Sequence, residues 1–201
     1  MEAVYRFRYE IYVEEMGRRQ KDADHARRRI EDRYDQHGVN LCAFDRDRVI
    51  GVMRMNFGSD ASLGGYESFY DIAGAGNACP RQSGIATRFM VASDVRKGRL
   101  AVDIMSGAFH LSLERRIDYC FMDCNDHLVD FFTKVGFVEY APVKTHPEYG
   151  DVHLMRFDLR DPRHLRASWS PFREAWLRYT ADLRARESEA EPLMANEVAY
   201  A

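Results

Sequence analysis

Apolar positions recur at Val4, Phe7, Ile11 and Met16, with Tyr5, Tyr9 and Tyr12 beside them. That three-to-four spacing predicts an amphipathic helix over 2–16 with a broad aromatic face. The stretch 17–38 is polar and charge-rich and reads as a surface loop or short helix. Two runs, 41–45 and 49–57, flank Arg46-Asp47 and predict a hairpin. Glycine is then frequent through 58–84, an irregular insertion with a helical turn in "SFYDI"; loops of that length in a compact domain usually carry function or are disordered. A strand at 85–91 leads through "ASDVRKGR" into a helix at 100–116. A buried strand follows at 117–124, then a helix at 127–135 with Asn125 or Asp126 as its cap and Gly136 at its end. Runs 137–145 and 151–159 predict a second hairpin across "HPEYG". A last helix opens at Ser170-Pro171, with Phe172, Trp176 and Tyr179 available to dock on the core or, with Trp169, on a second copy.

Strands interleaved with helices predict an α/β (α+β) sheet rather than a bundle or sandwich. The expected division is a main domain at 1–162 and a C-terminal helical extension with its tail at 163–201.

Composition narrows the function. With 46% hydrophobic and 12% aromatic residues, the 201-residue chain can bury a sizeable core. A net charge of −3 argues against general nucleic-acid binding, which calls for a basic excess. Cys42, Cys79, Cys120 and Cys124 lack zinc spacing, and reduced, buried thiols are expected. No export signal and no long apolar run is present, so a cytoplasmic protein without a membrane span is expected.

One turn carries a chemical signal. In "VRKGRLA", Gly98 lies among Arg96, Lys97 and Arg99 where a helix begins. Free backbone N–H groups and the helix dipole make such a place fit for an anion; a solvated basic turn is the other reading.

Downstream, "FFTKVGFVEY" ends a helix in Lys134-Val135-Gly136-Phe137. With the basic turn, this resembles the GNAT acyltransferases, whose phosphate loop reads [RQ]xxGx[GA] and whose late helix ends in [KR]xGF. "YRFRYEIYVEEMG", "EDRYD", "VIGVMRM" and "TRFMV" follow in the order and approximate spacing of a narrower branch, the acyl-homoserine-lactone synthases and N-acyl amino acid synthases. "DLRDPRHL" is more similar to the second group. The resemblance covers roughly residues 4 to 160. It implies a mixed, mostly antiparallel central sheet flanked by helices. It also implies transfer of a long acyl chain from an acyl carrier protein or CoA thioester to an amine of an amino acid or peptide, without a metal, by a monomer or homodimer. Two other classes stay open: an ordinary acyl-CoA-dependent N-acetyltransferase, and a non-catalytic protein of the same fold.

Under this resemblance Phe89, Met90 and Val91 lie on the donor strand, bulged and splayed from its neighbour to admit a pantetheine arm. Arg96, Lys97, Gly98, Arg99 and Asn125 bind the donor. Arg88, Tyr12, His146 and Tyr149 shape the acceptor side, and an Asp32–Arg88 bridge is expected, since a strand-interior arginine is costly unless paired. Met53, Met55, Phe57, Phe89, Met105, Phe109, Phe121 and Met122 are candidates for an acyl tunnel. Two departures stand out. Ile85 replaces the glutamate proposed as base in the lactone synthases, and Phe132 replaces the acetyltransferases' acidic tyrosine. Leu100 also takes the place of a small residue in the phosphate loop. Glu14, Asp32, Asp35 and His127 are therefore the candidates for proton transfer.

Overall fold

A computed structural model describes residues 1–76, 78–160, 165 and 170–181. The aromatic N-terminal segment is helical throughout, but its winding changes. Helix α1 (Glu2–Tyr9) runs into a wider π-type turn at Glu10–Glu15, where the Met16 N–H reaches back five residues to the Ile11 carbonyl at 3.0 Å. Such widenings recur near functional sites. The stretch read as a loop holds more order than its charge predicts. Two-residue strands β1 (Ala23–Asp24) and β2 (Arg29–Ile30) pair, and a single 3-10 turn, Arg33–Gln36, follows. Asp32 and Asp35 cap that turn reciprocally.

Strands β3 (Gly38–Asp45) and β4 (Arg48–Phe57) form the first expected hairpin. The insertion contains α2 (Gly65–Phe69) and a 3-10 turn, Pro80–Gln82, and leads to β5 (Ser83–Val91). Helix α3 (Leu100–Glu114), β6 (Tyr119–Cys124), α4 (Val129–Val135), β7 (Val138–His146) and β8 (Gly150–Asp158) complete the order. Residues 173–181 are helical. Gly136 takes the left-handed conformation (φ 116°) that closes α4, with its own N–H and that of Phe137 turned back to the Phe132 carbonyl.

The six long strands lie in the order β3-β4-β5-β6-β8-β7, antiparallel except for β5 beside β6. This is the mixed, mostly antiparallel sheet with flanking helices that was expected. One face packs under α3, α4 and the 170–181 segment, and the other under α1 and the insertion. Phe172 and Trp176 are buried on the first face, and Ser170 accepts from the Phe172 N–H at 3.3 Å while donating to the Val135 carbonyl at 2.6 Å. Most of the expected extension, including Trp169, lies outside the described residues.

Three expectations are corrected. Phe121 does not share the apolar face of Met53, Met105 and Met122. Successive strand residues point to opposite faces, and Phe121 packs against Tyr70 and Ile85 instead. Cys120 and Cys124 are buried, but Cys42 and Cys79 are only half-buried; all four are free thiols. Asn125 precedes α4 without capping it: its amide donates to the Tyr149 and Asp151 carbonyls at 3.0 and 3.2 Å. No helix among the described residues is long and apolar enough to cross a membrane.

Candidate active site

Strands β5 and β6 pair only through Ser83–Tyr119, Gly84–Cys120 and Ile85–Phe121. Beyond Ile85 they separate. On its other side β5 carries an extra residue against β4, since Val52 faces Met90 while Arg54 faces Thr87. The bulge is paired with a left-handed backbone at Arg88 (φ 55°), a conformation that side chains other than glycine rarely adopt. It turns a guanidinium into the protein beside the mouth of the splay.

That guanidinium is part of a buried network. Arg88 donates to Asp32 at 2.8 Å, to Gln20 at 2.8 Å and to the Tyr149 hydroxyl at 2.9 Å, and lies over the Tyr12 ring. Arg54, fully buried, donates to Asp32 at 2.7 Å and to the Tyr66 hydroxyl at 2.8 Å, and approaches Asp35 at 3.1 Å. Arg8, also fully buried, grips Asp35 with both terminal nitrogens and donates to Asn40 at 2.6 Å. Gly38 makes this possible, because a Cβ there would lie 2.7 Å from the Arg54 stem. The expected Asp32–Arg88 bridge is present, and the two aspartates each bridge two arginines.

Burial alone would raise the Asp32 carboxyl, but Arg54 and Arg88 together lower it from 3.8 to about 2. Asp35 shifts the same way against burial, held by Arg8 and Arg54. Because the folded value is depressed, the stabilisation is fully present above pH 4 and is lost as pH falls toward 2. For Asp32, whose side chain is 7% exposed, it amounts to about 2 kcal/mol. Urea melts between pH 6 and pH 2.5 are expected to register that loss; a flat profile would contradict the network.

The basic turn is less open than its sequence implies. Arg96 donates to the Val91 carbonyl at 3.0 Å and pairs with Glu15 at 2.7 Å. Arg99 pairs loosely with Asp103 at 3.3 Å, and Lys97 is exposed. Gly98 has an ordinary φ and room for a Cβ, so no close approach demands glycine there. Tyr12 and Tyr149 stack with ring centres 5.7 Å apart, and His146 stacks on Tyr149 at 4.3 Å. Arg88, Tyr12, His146 and Tyr149 thus meet on one side of the sheet. Phe89 and Val91 join the other face, while Met90 packs toward α1. Two candidates lie apart from this cluster. Glu14 pairs with Arg28 at 2.5 Å in an outer groove of about 790 Å³, and His127 is exposed ahead of α4.

The family model of the N-acyl amino acid synthase FeeM matches residues 3–158, most of the chain. The chain belongs to this family. It is an N-acyltransferase, not a non-catalytic protein of the same fold. Among solved structures, a CoA-dependent acyl-homoserine lactone synthase, BjaI, with SAM and isopentyl-CoA, is 24% identical, with 83% of this chain and 78% of that one covered at a TM-score of 0.63. FeeM itself, an N-acyl amino acid synthase from uncultured soil microbes, is 13% identical over 83% and 93% at 0.61. Escherichia coli ElaA is 15% identical over 78% and 88% at 0.55. At these identities the likeness is one of fold, and it is of the GNAT type. No curated protein matches the sequence.

In this FeeM-family chain the site also contains residues that motif reading passed over. Gln20, 6% exposed, accepts from Arg88 and Tyr149, while its Nε2 has no partner among the described residues. Asp123 on β6 accepts from the Tyr70 hydroxyl at 2.6 Å. One signal for it was available: an acidic residue inside the otherwise apolar run "YCFMDC" must have a partner or a task.

Proposed function

We propose that this enzyme moves a long fatty acyl group from an acyl carrier protein or CoA thioester to the amine of an amino acid. The observation that carries this reading is the splay of β5 from β6 at the Arg88 bulge, with a closed polar network on one side and an apolar core on the other. The unpaired backbone edge of β5 past Ile85 offers amides to a pantetheine arm and to the oxyanion of the tetrahedral intermediate. Met53 of β4 and Met105 and Phe109 of α3 border a small apolar cavity of about 20 Å³ and are the place for the acyl chain to enter. On the polar face, the free Gln20 amide supports an acceptor that brings a carboxylate. The Asp32 and Asp35 carboxylates are tied to guanidinium groups, which suits them to shaping this pocket and not to taking protons.

Lys97, Arg99 and the start of α3 are the proposed grip for the donor's phosphate. Arg96 is occupied by Glu15, and Leu100 opens the helix, so the loop is better suited to the single phosphate of a carrier protein's arm than to a pyrophosphate. The test is thiol release and product mass with medium- and long-chain acyl-CoA and acyl-carrier-protein thioesters against pooled amino acids and small peptides. Charge reversal at Lys97 and Arg99 together is expected to raise the donor KM roughly ten- to hundredfold; an unchanged KM would remove the phosphate grip from this turn.

A further inference from the structure

We propose that Asp123 is the general base that takes the acceptor's proton, positioned for the task by Tyr70. The inference rests on the acyl-transfer reading above. Such a transfer needs a base because only a neutral amine attacks a thioester. Ile85, where β5 and β6 part, and Phe132, whose ring lies beside Phe89, carry hydrocarbon and can take no proton.

The other acids and bases near the splay are committed elsewhere. Asp32 and Asp35 hold arginines, Glu15 pairs with Arg96, and His146 accepts the Glu148 N–H on Nδ1 at 3.1 Å. Asp123 differs from all of them. It stands two residues past Phe121, the last β6 residue paired with β5, so it sits inside the opening. Strand alternation puts it on the face of Tyr119 and Phe121, toward the polar network. No guanidinium touches it among the described residues. It is deeply placed yet keeps part of its surface open.

The insertion accounts for Tyr70. Its backbone is fastened to β7, where the Tyr140 hydroxyl donates to the Tyr70 carbonyl at 2.5 Å and Lys144 to the Phe69 carbonyl at 2.7 Å. This delivers the Tyr70 hydroxyl to one Asp123 oxygen and leaves the carboxylate's remaining acceptor positions for substrate. The groups facing Asp123 are Tyr70 from the insertion, His146 and Tyr140 from β7, and Arg18 from the segment after the helical arm, while Cys124, next to it on β6, turns to the other face of the sheet. Burial raises its pKa despite the Tyr70 hydrogen bond and the His146 and Arg18 charges, which brings a carboxylate closer to the working range of a base.

The acceptor enters as an ammonium ion and gives one proton to the Asp123 carboxylate. Its nitrogen then forms the bond to the thioester carbon, and the C–S bond breaks as the intermediate collapses. The second nitrogen proton passes to the departing thiolate, leaving an amide and a thiol, and Asp123 returns its proton to water.

The experiment is a pH–rate profile of thiol release, using the donor and amino acid with which the wild type turns over. D123N keeps the shape and an acceptor for Tyr70, and is expected to lose about 10²–10⁴-fold in kcat with donor KM little changed and the acid limb gone. Y70F removes a hydrogen bond that favours the carboxylate, so the acid limb is expected to move to higher pH. D123N within about threefold of wild type, or an unmoved limb in Y70F, overturns the assignment. Should D123N not fold, the Y70F limb decides. Absence of thiol release by the wild type with every donor would instead overturn the acyl-transfer reading.

Discussion

Replacing Asp32 by asparagine is expected to destabilise the protein by about 3–5 kcal/mol, a large part of a typical domain's 5–15 kcal/mol. The buried network counts three guanidinium groups, Arg8, Arg54 and Arg88, against two carboxylates, Asp32 and Asp35. Neutralising Asp32 leaves a surplus of two positive charges where water is excluded. The loss exceeds the roughly 2 kcal/mol of acid titration because an amide also presents the wrong group. Oδ1 serves Arg54 and the Tyr34 N–H, and Oδ2 serves Arg88; in asparagine one of those places becomes an NH₂ facing a donor. Thermal melting should fall by about 10 °C. The exposed pair Arg6–Glu2 is the comparison, where E2Q should cost about 0.5 kcal/mol or less. Adding Arg88→Met to D32N should recover part of the stability, since it removes a guanidinium left without its carboxylate. D32N melting beside E2Q would show that the network contributes no net stability.

The site was legible in sequence where one residue type had a single workable solution. Lys134-Val135-Gly136-Phe137 announced a helix end because Gly136 supplies the left-handed closure. Arg88 inside a strand demanded an acid, and Asp32 answers it. The hairpins at both edges of the sheet followed from local pattern. What stayed hidden depended on contacts far apart in sequence. Nothing in "GRRQKDADHARRRIEDRYDQHG" separates Gln20 and Asp32, which enter the interior, from Arg27 and Arg28, which remain on the surface. Tyr70 meets Asp123 across 53 positions, and only the fold of the insertion creates that pair. Phe121 and its neighbour Met122 cannot both face the acyl side, because successive strand residues point to opposite faces.

Phe172→Ala is the second change of large effect, and it separates packing from specificity. Phe172 is 2% exposed, stacks on Phe109 with ring centres 4.9 Å apart, and borders the apolar cavity together with Met53, Met105 and Phe157. Its removal is expected to cost about 3–5 kcal/mol, because neighbours close only part of the space left by a deleted ring. The cavity grows on the side that Phe172 borders, and neither Arg88 nor Asp123 lines it. If the acyl chain lies there, longer chains gain room without any change at Arg88 or Asp123. In a competition among acyl donors of graded length, F172A should shift the product distribution toward longer chains, with only a small fall in kcat for the donor that the wild type prefers. Phe172→Leu, which refills much of the space, should recover stability and return the distribution toward wild type. Loss of stability with an unshifted distribution would make Phe172 a core residue alone and send the acyl chain elsewhere. A shift in F172A that reverses in F172L would tie chain length to the segment that follows the sheet.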